Sequence, residues 1–402
     1  MSIRKTAQPW VIVAGGFHRR GGMDKANLAL AEHLLERNTP THLVTHDAEP
    51  HLQNHPLATV HMVARPRNSF LLGEFALAVR GKRVARQVVS QWPQACVVVN
   101  GGNCIWAGVN WVHYIHHAWS GPKQGGWKYW LKGAVSQQWA KRSERAALRR
   151  ARLVITNSKR TSREVVEYFL VPETRVHTVY LGSDTTWGPV TPDERQQSRQ
   201  WLQINESRPV AVFVGGLGYD HRKGFDVLFS AWKQLCARAA WDANLLVAGG
   251  GPALEMWRAH IREAGLERRI RLLGFCGDVK RVLAAADLLI SPVRYEAYGL
   301  NVQEAICRGV PAMVSASAGV AEQYESGFAP MLISDPENAN ELAERLLEWR
   351  PEKDQWQKRF EKFSARLRAR TWRDTALDFI AIVEETSREH SALKVPAPTA
   401  VL

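Results

Sequence analysis

The chain has 402 residues, with 53 Lys/Arg against 39 Asp/Glu, a formal net charge of +14 and five cysteines. That length gives room for large cores and most simply two domains. No stretch approaches the ~20 apolar residues of a membrane span, and no charged start leads into an apolar run as in a signal peptide.

The first half opens on a short apolar strand, Trp10–Ala14, then Gly15-Gly16 and, after an interval, Gly21-Gly22. Apolar residues then recur at helical spacing from Met23 to Glu36. Further strands are expected at Thr41–Thr45, Cys96–Val99, Trp111–Ile115 and Leu153–Thr156. The rhythm restarts at Val210–Val214 and continues through Leu245–Ala248, Ile270–Leu273, Leu288–Ile290 and Ala312–Val314, with amphipathic helices such as Phe225–Cys236 and Leu254–Ala264 between them. Alternating strands and helices imply parallel sheets covered on both faces, and two successive series imply two such α/β domains. Thr185–Ser207, with Gly188-Pro189 and Thr191-Pro192, reads as the linker. Trp372–Glu385 is a separate terminal helix, and the last residues, with Pro396 and Pro398, are expected to be disordered.

Charge is distributed unevenly. Residues 1–187 carry 25 Lys/Arg and 11 Asp/Glu, whereas 188–402 carry 28 of each. A one-sided excess predicts that the first half faces something anionic, such as a membrane leaflet or an acidic acceptor. Within it, 118–152 holds nine Lys/Arg and one acid, interleaved with Trp119, Trp127, Trp130 and Trp139. On helical spacing Trp127, Trp130, Leu131 and Ala134 share a face that would suit an anionic leaflet or, equally, packing on the sheet. Cys96, Cys104, Cys236, Cys276 and Cys307 stand singly, without disulfide or zinc spacing, so reduced thiols and a cytoplasmic location are expected.

The chemistry concentrates in strand-to-helix loops of the second half. Glu296-Ala297-Tyr298-Gly299-Leu300-Asn301-Val302-Gln303-Glu304 runs from a strand end through a glycine-containing loop into a helix. A helix start offers unpaired N–H groups and a partial positive charge, which suits phosphate. Carboxylates beside phosphate would repel it, so Glu296 and Glu304 are better placed to accept hydrogen bonds from sugar and ribose hydroxyls. Gly215 to Gly224 ends in Arg222-Lys223-Gly224, two cations able to pair with a diphosphate. It is not a Walker loop, which needs Gly-Lys followed by Ser/Thr, nor does Gly15 to Gly22 have dinucleotide-fingerprint spacing. Ala248-Gly249-Gly250-Gly251-Pro252 reads equally as a tight turn or a ligand contact. In the first half His113, His116 and His117 end a predicted strand, where open parallel sheets bind ligands. Alternation puts His113 and His117 on one face and His116 on the other. No aspartate pair separated by one residue is present, so a metal-free site is expected.

In order and spacing these motifs resemble the retaining glycosyltransferases of family 4. The match spans roughly residues 10–388 and includes Val154–Lys159, Val176–Asp184, Arg222-Lys223-Gly224, Gly249–Pro252, and Glu296 to Glu304 followed by Arg308-Gly309-Val310-Pro311. The resemblance implies the GT-B fold: two Rossmann-like doubly wound parallel-sheet domains with a cleft between them. The acceptor domain would be 1–187 and the donor domain 188–370. Residues 371–390 would be a helix crossing back to the first domain, and 391–402 a disordered tail. It also implies retaining transfer from a nucleotide-diphosphate sugar, as donor substrate and without cofactor or metal, to an acceptor hydroxyl in glycolipid or polysaccharide synthesis. Glu296 would contact donor-sugar hydroxyls and Glu304 the ribose. Backbone N–H groups of Gly299, Leu300 and Asn301 would hold the diphosphate, with Arg222 and Lys223 over it, and Tyr298 would also contact the donor. His116 would be the histidine near the transferring sugar, and Gly22 would admit donor and acceptor. Expected partners are the nucleotide sugar, a lipid-linked or anionic acceptor and a peripheral anionic membrane, with no nucleic acid. A silent nucleotide-sugar-binding subunit and a basic nucleic-acid-binding protein are the rival readings. Two departures stand out: Gly216 replaces an arginine common in the family, and Ser317–Glu322 replaces a more usual Gly-Gly.

Overall fold

The computed structural model describes residues 8–119, 127–205 and 207–392. In chain order the strands are β1 (Trp10–Val13), β2 (Thr41–Thr45), β3 (Ala58–Met62), β4 (Cys96–Asn100), β5 (Val109–Val112), β6 (Leu153–Thr156), β7 (Val176–Thr178), β8 (Val210–Val214), β9 (Asn244–Ala248), β10 (Ile270–Gly274), β11 (Leu288–Ser291), β12 (Ala312–Ser315) and β13 (Leu332–Ile333). The helices are α1 (Gly22–Glu36), α2 (Pro50–Gln53), α3 (Phe70–Gln91), α4 (Trp127–Arg150), α5 (Lys159–Phe169), α6 (Pro192–Trp201), α7 (Phe225–Cys236), α8 (Leu254–Glu263), α9 (Val279–Ala284), α10 (Leu300–Cys307), α11 (Ala339–Ala369) and α12 (Trp372–Ala392).

The chain forms two compact units, one comprising 8–117, 132–181 and 372–392, the other centred on 182–371. Each contains a single parallel sheet. The first runs β3-β2-β1-β4-β5-β6-β7 and the second β10-β9-β8-β11-β12-β13. Both have the doubly wound order in which the winding reverses beside the first strand, between β1 and β4 and between β8 and β11. Loops leaving the carboxyl ends of strands at that reversal form the usual ligand crevice. Strands β1, β5, β6, β11 and β12 are buried at every position, as strands covered on both faces must be. Beneath the first sheet, Val11, Val13, Val99, Leu77 and Val84 form one continuous core.

Three elements differ from expectation. The stretch read as a linker contains α6, whose Thr191 hydroxyl accepts the Glu194 N–H while Pro192 occupies the first turn. That pairing is a helix start. Strand β5 ends at Val112, so the alternation used to sort His113, His116 and His117 does not reach them. α12 runs to Ala392, and the rest of the tail expected to be disordered, 393–402, lies outside the described residues. Helix α12 belongs to the first unit: Phe379 packs on Trp111 at 4.5 Å, and Thr375 donates to the Tyr180 carbonyl at 3.1 Å. Among the described residues no helix is long and apolar enough to cross a membrane.

Candidate active site

In the second unit the loops after β8 and β11 are built against each other. Gly224 has φ +71°, and a Cβ there would lie 1.8 Å from the Pro292 carbonyl oxygen. Only glycine permits that approach. The Gly249–Gly251 turn is held in the same way, with a Cβ on Gly249 falling 1.8 Å from the Gly215 carbonyl. Leu217 N–H donates to Gly250 O at 2.9 Å, so this turn supports the neighbouring loop through its backbone.

Arg294 fixes the arrangement. Its side chain is 9% exposed and makes a two-pronged pair with Asp226 at the start of α7, at 2.7 Å on each arm, and a second pair with Glu337. It also donates to the His221 carbonyl at 2.6 Å, while its own N–H donates to Arg222 O at 2.9 Å. Burial raises the cost of ionising Asp226, but Arg294 outweighs it and holds the carboxyl below its usual range. Burial likewise opposes the Arg294 charge, and Asp226 and Glu337 more than offset it. Sequence reasoning missed this residue, although Arg294 stands two positions before Glu296.

On this frame Lys223 meets Glu296, and the start of α10 is tied to the end of β8. Gly299 precedes α10 in the left-handed region, with no side-chain cap. The backbone N–H groups of Gly299, Leu300 and Asn301 carry no hydrogen bond to any described residue. Asn301 Nδ2 donates to Val214 O at 2.9 Å, tying this helix start to the end of β8. The Lys223 ammonium pairs with the Glu296 carboxylate, both largely shielded from solvent. Arg222 lies 3.7 Å from Asp220. Glu304 sits partly buried just over one turn into α10. Tyr298 departs from the expected donor contact. It is 3% exposed, and its hydroxyl donates to Gln303, whose amide donates to Gly182 O at 2.8 Å. Its side chain faces inward and shapes the loop. Gly216 is exposed, and the nearest atom to an added Cβ is 3.9 Å away, so a side chain could start there without a clash.

In the first unit the loop after β1 is pinned by Phe17, fully buried, whose N–H donates to Asp47 O at 2.9 Å and whose carbonyl accepts from Glu49 at 3.0 Å. Gly22 begins α1 at its end. Asp24 lies beneath that loop, 3.9 Å from His18. Burial lifts its carboxyl pKa, against the pull of His18 and Arg20.

The three histidines fall in a turn after β5, and their placements differ. His113 packs 4.7 Å from Trp111, and burial pushes its pKa down to about 3, so its ring is neutral. Glu144, fully buried on α4, organises the other two. It accepts the His116 N–H at 2.9 Å and the His117 N–H at 3.3 Å, and lies 2.8 Å from His117 Nδ1. The His117 ring also packs edge-on against Phe169 at 4.8 Å. The His116 ring meets Tyr114 edge-on at 4.9 Å. Burial pushes the Glu144 carboxyl up to about 7, against the two backbone N–H groups that favour its charge. Glu144 is the single acid of the basic stretch 118–152, the one signal that could have exposed it. A hollow of about 1130 Å³ lies at the opposite end of this sheet, against the first residues of β1, β4, β5 and β6, away from these loops.

The family pattern described as Glycosyl transferases group 1 matches residues 194–366, and that of Glycosyltransferase Family 4 matches 20–187. The chain belongs to glycosyltransferase family 4 and has the GT-B fold. This family 4 chain is 28% identical to the alpha-D-kanosaminyltransferase of Streptomyces kanamyceticus over 53% of its length and 56% of that protein. It is 28% identical to the lipopolysaccharide glucosyltransferase WaaG of Escherichia coli over 43% and 46%. The chain spans about half the length of the curated relatives it matches. Among solved structures, the sucrose-phosphate synthase of Thermosynechococcus elongatus superposes with a TM-score of 0.73 over 95% of this chain and 100% of that one, at 17% identity. The Anabaena protein HepE in complex with UDP-glucose gives 0.65 over 96% and 99%, also at 17% identity. At those identities the likeness concerns the fold.

Proposed function

We propose that this family 4 protein is a retaining, metal-independent transferase. It would move a sugar from a nucleotide-diphosphate sugar to a hydroxyl of a lipid-linked or anionic acceptor, at the cytoplasmic face of an anionic membrane. The observation that carries this reading is the start of α10. Three consecutive N–H donors there carry no hydrogen bond to a described residue, beside the Lys223–Glu296 pair and with Glu304 one turn further on. A diphosphate would take those donors together with the positive end of the helix. It would also draw Lys223 from Glu296, leaving that carboxylate to accept from sugar hydroxyls, while Glu304 accepts from the ribose. Charge building on the departing diphosphate is then stabilised by donors already in place. The departing oxygen takes the acceptor proton as the acceptor oxygen bonds to the anomeric carbon on the face that the diphosphate leaves. His116 and Gly22 would serve the acceptor side.

The test is a thermal-shift panel of UDP-, GDP-, ADP- and CMP-linked sugars without added metal. One donor class should stabilise the protein, and Glu304→Ala and Lys223→Ala should reduce that stabilisation. Glu296→Ala should lower transfer about 100-fold or more, the usual cost of one preorganised contact, with an unchanged melt. Near-normal turnover in Glu296→Ala would overturn the site, and no shift with any donor at millimolar concentration would overturn the donor reading.

A further inference from the structure

Helix α3 presents an outer face that the fold leaves uncovered. Residues at spacings of three and four lie on one side of a helix, and on this side α3 carries Leu72, Phe75 and Val79, then Arg83 and Arg86. Leu72 is 44% exposed, Phe75 61% and Val79 53%. The opposite side, with Leu77, Val84, Ala85 and Val88, is buried in the core of the first unit. Isolated exposed apolar residues are ordinary, but a run along one helix face is not. The His61 ring of the edge strand β3 lies 3.4 Å from Arg80 of α3, so this edge of the sheet flanks the helix. Arg67, Arg83 and Arg86 are exposed, and none forms an ion pair with a described residue. The helix's single acid, Glu74, is buried on the core side.

From this face we infer that α3 seats the protein on an anionic lipid leaflet, with Leu72, Phe75 and Val79 entering the interface and Arg67, Arg83 and Arg86 meeting lipid phosphates. Apolar insertion bordered by cations is the chemistry of an interfacial helix. A second copy of the chain is disfavoured because a symmetric contact would bring the same cations together. Three side chains also fall short of the ~800 Å² per partner of a stable interface. The start of α3 lies at the carboxyl-end edge of the first sheet, where the loops bearing Gly22 and His116 also emerge. A leaflet bound there would present an acceptor headgroup to those loops.

This inference gives the membrane contact of the proposed function a specific surface, and its test is independent of donor binding. Full-length protein, without donor, is co-sedimented with vesicles of phosphatidylcholine alone or mixed with phosphatidylglycerol, at low and high salt. Binding is expected to the mixed vesicles only and to weaken with salt. Arg83→Gln with Arg86→Gln should weaken it about 30-fold, at about fivefold per cation near the surface. Phe75→Ser with Val79→Ser should weaken it about tenfold or more, with the thermal shift by whichever nucleotide sugar stabilises the wild type unchanged. Should that double variant melt early, Val79→Ser alone carries the test. Wild-type binding unaffected by both changes, or no binding at low salt, overturns the proposal. So does loss of a dimer without any change in vesicle binding, which would assign the face to self-association.

Discussion

The two units share one strand order, yet they hold their loops by different means. In the second, the loops after β8, β9 and β11 touch backbone to backbone, through Gly224 on Pro292 and Gly249 on Gly215, with Arg294 fastening the group from below. In the first, side chains share this work: the fully buried Phe17 ring backs up the backbone bonds that hold the loop after β1, and Glu144 gathers the backbone of His116 and His117. Backbone contact leaves N–H groups facing outward in a fixed array, which suits a ligand present in every turnover, as a nucleotide diphosphate would be. Side-chain anchoring leaves the loop surface free to vary, which suits an acceptor that differs between relatives.

The largest expected effect tests the backbone half of the comparison. Gly224→Ala forces a methyl into the Pro292 carbonyl at positive φ, and should cost on the order of 4 kcal/mol in urea unfolding, abolishing donor stabilisation. A near-normal melt would mean that the loops after β8 and β11 tolerate separation. Next is Arg294→Ala, which leaves Asp226 partly buried without its partner and should cost about 3 kcal/mol. It should weaken donor binding more than it alters any property of the first unit. Equal loss in both units, read by hydrogen exchange, would break the distinction.

The smallest effect concerns Glu144. Burial raises its carboxyl from the ordinary 4.5 to about 7, so the folded chain holds that proton more tightly than the unfolded chain. Its contribution to stability is therefore complete below about pH 4.5 and is lost as pH rises towards 7. Glu144→Gln resembles the protonated acid, keeping an acceptor for the His116 N–H, and should flatten the pH dependence of unfolding across that window. An unchanged slope would show that the carboxylate is not what titrates there.

Much of the fold was legible because its signals are local. Buried parallel strands appear as short apolar runs, and most of them were found within a residue or two of their observed bounds. Short or half-buried strands such as β3 and β7 were missed, since neither has a continuous apolar run. The loops from Gly215 to Gly224 and from Glu296 to Glu304 were visible because glycine and charge mark a strand-to-helix turn. Arg294 and Glu144 were not, because their importance lies in partners far along the chain: Asp226 and Glu337 for one, the turn after β5 for the other. The face of Trp127, Trp130 and Leu131, which suits either a membrane surface or packing on the sheet, lies outside the residues whose side chains are described, and the exposed stripe on α3 went unnoticed. Periodicity reports that a helix has two faces, and only packing reports which apolar residues the core leaves outside.

By itself, the sequence determined the alternation of strands and helices, the two-part organisation, the charge imbalance and the order of motifs that places the chain in its family. All of these follow from residue types at fixed local spacing. Tertiary structure alone decided that Tyr298 faces inward, that β5 stops before its histidines, and that a lone glutamate in a basic helix binds two backbone N–H groups. Those outcomes depend on which distant atoms meet, and on the burial that sets how costly each charge is.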